Sequence, residues 1–135
     1  MKPLQGRTTK TQGITLSFEE RPEYVFAKIN SIKHNLNDVV ETYRRIRSEL
    51  AKNKSRKLLV LADVAVNLSL SETFEVVQEL VELKYQHINL AYCYLSKEHS
   101  DLIEFAVTAA RNRGLRIEMF DDLTEAENWL KALNA

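Results

Sequence analysis

Hydrophobic residues recur along this chain with two different periods, and the switches between them outline its elements. Residues 14–18 set Ile14, Leu16 and Phe18 against Thr15 and Ser17, a period of two that predicts a half-buried strand. Residues 24–30 (YVFAKIN) predict a second strand, and the intervening EERPE turns around Pro22, so the two form a hairpin. Over 36–52 the period lengthens. Leu36, Val39, Val40, Tyr43, Ile46 and Leu50 recur every three or four positions as one helical stripe, with Asn35 or Asn37 placed to cap it. Residues 58–62 (LLVLA) are apolar without alternation, which suits a central strand covered on both faces.

A second helix is expected over 70–84, with Leu70, Phe74, Val77 and Val81 on its stripe and Val76, Leu80 and Leu83 widening it. Residues 88–95 (INLAYCYL) predict the next strand. Residues 97–113 predict a third helix, which Gly114 ends by taking a left-handed conformation. Residues 115–120 (LRIEMF) alternate again, as an edge strand does. A last helix follows, capped by Asp121 or Asp122, with Leu123, Ala126, Leu130 and Leu133 on one side and Trp129 beside them.

The expected order is ββαβαβαβα, an α/β fold with a mostly parallel five-stranded sheet, an antiparallel first strand and four helices. The two alternating strands belong at the edges. Residues 1–12 are polar and aperiodic and are expected to form a flexible tail, leaving 13–135 as a single domain.

Charge and cysteine content narrow the function classes. The chain has 135 residues, with 19 Lys plus Arg against 19 Asp plus Glu. That balance argues against a nucleic-acid partner, which selects a basic face. Cys93 is the only cysteine and sits in an apolar strand, where a thiol acts as a small hydrophobe. No apolar run has the length of a signal peptide core with its flanks or of a membrane span, so a soluble protein of the bacterial cytoplasm, without stable membrane insertion, is expected.

Candidate chemistry is sparse. His34, His87 and His99 lie on separate turns or helix starts, without metal-ligand spacing. There is no GxSxG elbow, and three glycines supply neither GxGxxG nor a P-loop, so no cofactor is expected. Glu19–Glu20 point to opposite faces of a strand, and Asp121–Asp122 suit a helix start. Asp63 ends the central strand, where α/β folds place ligands, and a turn role for its carboxylate is the alternative. Ser69 and Glu72 fit a capping box, which leaves the Ser71 hydroxyl near a helix start where a phosphate is stabilised; Ser96 opens the next helix in the same way. Tyr24, Phe26, Tyr85, Tyr92 and Tyr94 suit the core and sheet face, or a dimer surface if all helices pack on one side.

The element order, with LLVLADVAVNLSLSETF and the ending MFDDLTEAENWLKAL, resembles the STAS-like fold of bacterial anti-sigma-factor antagonists, and more closely the small stand-alone STAS/SEC14-type proteins of bacteria. The tail match is carried by Phe120, Ala126, Trp129 and Leu130, and the likeness spans about residues 14–133. The resemblance implies a non-enzymatic regulatory or protein-interaction module, acting on a protein partner or by self-association as a homodimer. It places an Asp at the strand end, matched by Asp63, and a phosphorylatable Ser beyond it. Here Asn67, Ser69 and Ser71 fill that loop without a Ser-Gly or a preceding Asp. The implied surface is Asp63, Asn67, Ser69, Ser71 and Ser96, with a phospho-switch at Ser69 or Ser71 as one version. The SEC14 side implies instead a carrier of a lipid or other apolar ligand, with a pocket lined by Phe74, Tyr92, Tyr94 and Phe105.

Overall fold

The computed structural model describes residues 6–10 (backbone only), 13–31, 33–64, 68–95 and 100–133. Its strands are β1 (Gly6–Lys10), β2 (Thr15–Glu20), β3 (Val25–Ser31), β4 (Lys57–Val64), β5 (Asn89–Tyr94) and β6 (Arg116–Phe120). Its helices are α1 (Leu36–Lys52), α2 (Leu70–Glu82), α3 (Ser100–Asn112) and α4 (Leu123–Ala132), with a short 3₁₀ turn over Tyr85–His87. The sheet runs β1-β2-β3-β4-β5-β6. β1/β2 and β2/β3 are antiparallel, and β3 to β6 are parallel.

The expected hairpin, central strand and four helices are all present. One expectation is corrected. Residues 6–10 lie in what the sequence presents as a flexible tail, yet they form a strand along β2 and make the sheet six-stranded. Of the two alternating strands, β6 is an edge and β2 is not. A strand of polar residues held by main-chain pairing carries no hydrophobic period to reveal it.

Local chemistry explains the helix boundaries. Asn35 and Asp38 form a reciprocal capping box at α1, and Ser69 and Glu72 form one at α2. Asp122 caps α4 by accepting from the Thr124 amide at 2.8 Å. Gly114 has φ +87°, and the Leu115 amide reaches back to the Ala110 carbonyl at 3.0 Å, a turn that closes α3.

Side chains of alternate parity divide the sheet into two faces. The first carries Val25, Ala27, Leu58, Val60 and Leu90 and packs under α1, α2 and α3 through Ile46, Leu50, Val77, Leu80 and Ala110. The second carries Phe26, Leu59 and Ala91 and packs under α4 through Ala126 and Leu130. α4 therefore covers the β4–β5 half of that face. The remainder is dressed with polar chains, including a Lys28–Glu19 ion pair at 3.7 Å. Two bonds hold α4 down: the Tyr24 hydroxyl donates to the Glu127 carboxylate, and the Lys57 ammonium donates to the Leu133 carbonyl at 2.8 Å.

Candidate functional site: an apolar cavity under three helices

The first face is not filled. A cavity of about 140 Å³ lies between the sheet and α1, α2 and α3. Its floor is built from strand residues (Ile29, Ala62, Val64, Leu90 and Tyr92), and its roof includes Tyr43, Val77 and Val107. Among the described residues, no Lys, Arg, Asp or Glu lines it. It reaches Val64 at the C-terminal end of β4, the end of a parallel sheet where ligands are received, and Leu68 just before α2.

The polar groups in its wall differ in how they are satisfied. Thr42 and Thr73 back-bond within their helices, to the Asp38 carbonyl at 2.8 Å and the Ser69 carbonyl at 2.9 Å. His34 packs its Nδ1 3.0 Å from the Ser31 hydroxyl, which donates to the Gly13 carbonyl at 2.7 Å. Burial holds the imidazole below its ordinary pKa, against the opposing pull of Asp38, so it is neutral at pH 7. Gly13 is required there, because a Cβ would sit 2.5 Å from the Asp38 carboxylate and 2.6 Å from the Lys33 carbonyl. The Tyr43 and Tyr92 hydroxyls have no hydrogen-bond partner among the described residues. Burial is the first cause that raises both pKa values, followed for Tyr43 by Tyr85 and for Tyr92 by Tyr43 and Tyr94.

The residues singled out from the sequence fall in several places. Tyr92 lines the cavity. Phe74, Tyr94 and Phe105, expected beside it, are not among the residues that line this cavity. The Phe74 ring is covered by the Arg113 guanidinium at 4.3 Å. Tyr94 backs Tyr92 in a stacked pair at 6.2 Å and points its hydroxyl at the Val64 carbonyl, 3.4 Å away. Phe105 lies on the outer side of α3 and is 40% exposed. All three were assigned by apolar character, which does not say which side of a helix or strand faces the void.

Asp63 is exposed and lies on the α4 face of the sheet, opposite to the cavity. It has no hydrogen bond or ion pair among the described residues. The Ser69 hydroxyl accepts from the Glu72 amide at 3.1 Å as the cap of α2, and Ser71 lies 3.4 Å from it. Asp63 and the serines thus belong to opposite faces. Asn67 and Ser96 lie outside the described residues, as does His99. Cys93 is buried on the α4 face, and burial first, then Asp122 and Asp121, pushes its thiol pKa up, so it is not poised as a nucleophile.

Sequence reasoning missed Tyr43 and His34 as cavity residues. One signal was present: Tyr43 and Tyr92 occupy positions whose pattern asks for aliphatic chains, and a core phenol needs either a partner or space.

No protein-family model matches the chain, and no curated protein does. Among solved structures, it is similar to an uncharacterized DUF3478-family protein with a SpoIIAA-like fold from Shewanella loihica PV-4. The two share 18% identity over 93% of this chain and 99% of that one, with a TM-score of 0.57. That likeness is one of fold: the chain has a SpoIIAA-like, STAS-like architecture. No helix among the described residues is long and apolar enough to cross a membrane.

Proposed function

We propose that the chain is a non-enzymatic binding module that holds a small apolar ligand between its sheet and its three-helix layer. The observation that supports this is the cavity. Well-packed interiors have few voids larger than a water molecule, and a void of about 140 Å³ forfeits packing that a fold of this size has reason to keep. The size also sets the ligand. An engineered cavity of about 150 Å³ in another protein stays dry and takes up benzene or xenon. The space here suits one ring or a short branched chain, so the carrier reading narrows from a long-chain lipid to a compact molecule.

The test is a titration of the isotope-labelled protein with benzene, read by NMR. Shifts concentrated on the methyls of Val77, Leu90 and Val107 support the reading. No saturable shift at those methyls, together with no mass adduct in native spectra of freshly purified protein, overturns it.

A second reading, a regulatory interaction module that pairs with a protein partner or a second copy, draws on a different observation. Leu70 is 58% exposed and Leu95 49%, and Leu70 adjoins the exposed serines Ser69 and Ser71. Sedimentation checks the homodimer version: a dimer dispersed by Leu70→Asp supports it, and a wild-type monomer at all concentrations removes it. The phospho-switch version gains less, because Ser69 already serves α2 as its cap.

A further inference from the structure

The two tyrosine hydroxyls specify more about the ligand than size. Tyr43 descends from α1 and Tyr92 rises from β5, so their rings enter the cavity wall from opposite layers. Each carries a donor that makes no hydrogen bond to a described residue. Among the described residues, the one side-chain polar atom sealed without a partner is Gln86 Oε1. The tyrosine oxygens are therefore not pressed against apolar atoms; they border open space. A hydroxyl that lines a void without a protein partner is left for a ligand or water to satisfy, and two such groups border this one. Tyr85, by contrast, lies outside the cavity and donates to the Tyr43 carbonyl at 2.6 Å.

We infer that the cavity is built for a neutral, ring-sized, mostly apolar molecule carrying one oxygen that hydrogen-bonds to Tyr43 and Tyr92. This rests on the cavity being a ligand site. Neutrality follows from the wall. Among the described residues, no Lys, Arg, Asp or Glu lines the cavity to balance a carboxylate, a phosphate or an ammonium, and an unpaired ion is disfavoured by desolvation. The single oxygen follows from the hydroxyl pair, since Thr42 and Thr73 are already satisfied and the rest of the wall is dominated by aliphatic chains. Both phenols keep their protons at neutral pH, because burial raises their pKa values, so both act as donors toward a carbonyl or hydroxyl oxygen. A site that hydrogen-bonds a ligand oxygen discriminates against the hydrocarbon of the same shape by leaving its own donors unpaired.

The experiment compares toluene with phenol, which have equal numbers of heavy atoms, on the full chain and on Tyr43→Phe/Tyr92→Phe. Affinities are read by NMR titration. The quantity of interest is the ratio of the toluene to the phenol dissociation constant, because the ratio cancels cavity size. It is expected to fall by about tenfold in the double variant, the value of a hydrogen bond made in a dry site. The variant is also expected to melt at or above the wild-type temperature, since it removes hydroxyls that lack partners. Three results are distinguishable. A ratio unchanged within twofold, with both probes bound, overturns the oxygen-specific site and leaves the apolar cavity standing. A variant markedly less stable than wild type shows that the hydroxyls are paired in the empty protein and overturns the inference. Binding of neither probe overturns the cavity reading itself.

Discussion

The two faces of the sheet are covered by different means and packed to different degrees. Among the described helices, α4 alone lies on one face. Ala91 on the sheet and Ala126 on the helix belong to one buried cluster, with Leu59 and Leu130 fully buried in it. The Tyr24–Glu127 bond holds the middle of the helix and the Lys57–Leu133 bond its C-terminal end. The other face has three helices and far more apolar surface, yet it keeps a void. More cover gives a looser interior because three helices must be spaced to pack against each other as well as against the strands. The tight face reads as stabilising structure and the loose face as a place to hold something.

Removing a large side chain from each face is the strongest way to break that comparison. Leu59 and Leu90 are both strand leucines shielded from solvent, one under α4 and one in the cavity floor. Leu59→Ala is expected to cost about 4 kcal/mol, near the upper part of the range for such truncations. Leu90→Ala is expected to cost about 2–3 kcal/mol, because part of its surface already faces empty space and makes no contact to lose. Urea unfolding of the two variants measures both. Equal costs, or the reverse order, would mean that the two faces are equally packed.

Adding volume should separate the faces by sign. Ala62 on β4 borders the cavity, while Ala91 on the neighbouring strand lies beneath α4. Ala91→Val is expected to destabilise by about 1–2 kcal/mol, since two extra carbons have nowhere to go. Ala62→Val is expected to be neutral or to stabilise by up to about 1 kcal/mol, as cavity-filling changes do. It should also weaken benzene uptake. Thermal melts of the pair check the prediction, and a destabilised Ala62→Val with unchanged uptake would count against the void.

How far the comparison was legible in the sequence depends on the kind of information each part needs. Element type follows from periodicity, and the hairpin, the continuous central strand and the α stripes all fall where the pattern puts them. Caps follow from local chemistry, as at Asn35, Ser69, Asp122 and Gly114. β1 is different, because its polar residues pair through the main chain and leave no side-chain period. The placement of α4 is also hidden. Its stripe shows that it buries Ala126 and Leu130 but not which face of the sheet receives them. The cavity is least legible of all. It is a difference between volumes contributed by four strands, three helices and their connections, so Phe74 and Phe105 look as suitable from the sequence as Tyr43, which is actually there.

The smallest expected effects distinguish the faces by pH. On the tight face, the Tyr24 pKa is pushed up to about 12, mainly by burial and then by its bond to Glu127 and that carboxylate's charge, with Arg21 opposing. Its folded value lies above the unfolded 10, so its contribution is whole below pH 10 and is lost as pH rises toward 12. On the cavity face, His34 titrates below its ordinary 6.5 because burial disfavours its charged form. The unfolded chain therefore takes up that proton first. The contribution is present above pH 6.5 and is lost as pH falls toward the folded value. Tyr24→Phe is expected to flatten part of the alkaline limb of the stability curve and leave the acid limb alone. His34→Gln should do the opposite, and urea midpoints measured from pH 5 to pH 11 report both. The alkaline limb does not vanish in Tyr24→Phe, because burial also raises Tyr43 and Tyr92 in the cavity wall. The acid limb is the sharper of the two, since on this reading it follows the environment of one imidazole at the mouth of the void. An acid limb unmoved by His34→Gln would show that this imidazole is as well hydrated when folded as when unfolded, against the partial burial that lowers its pKa.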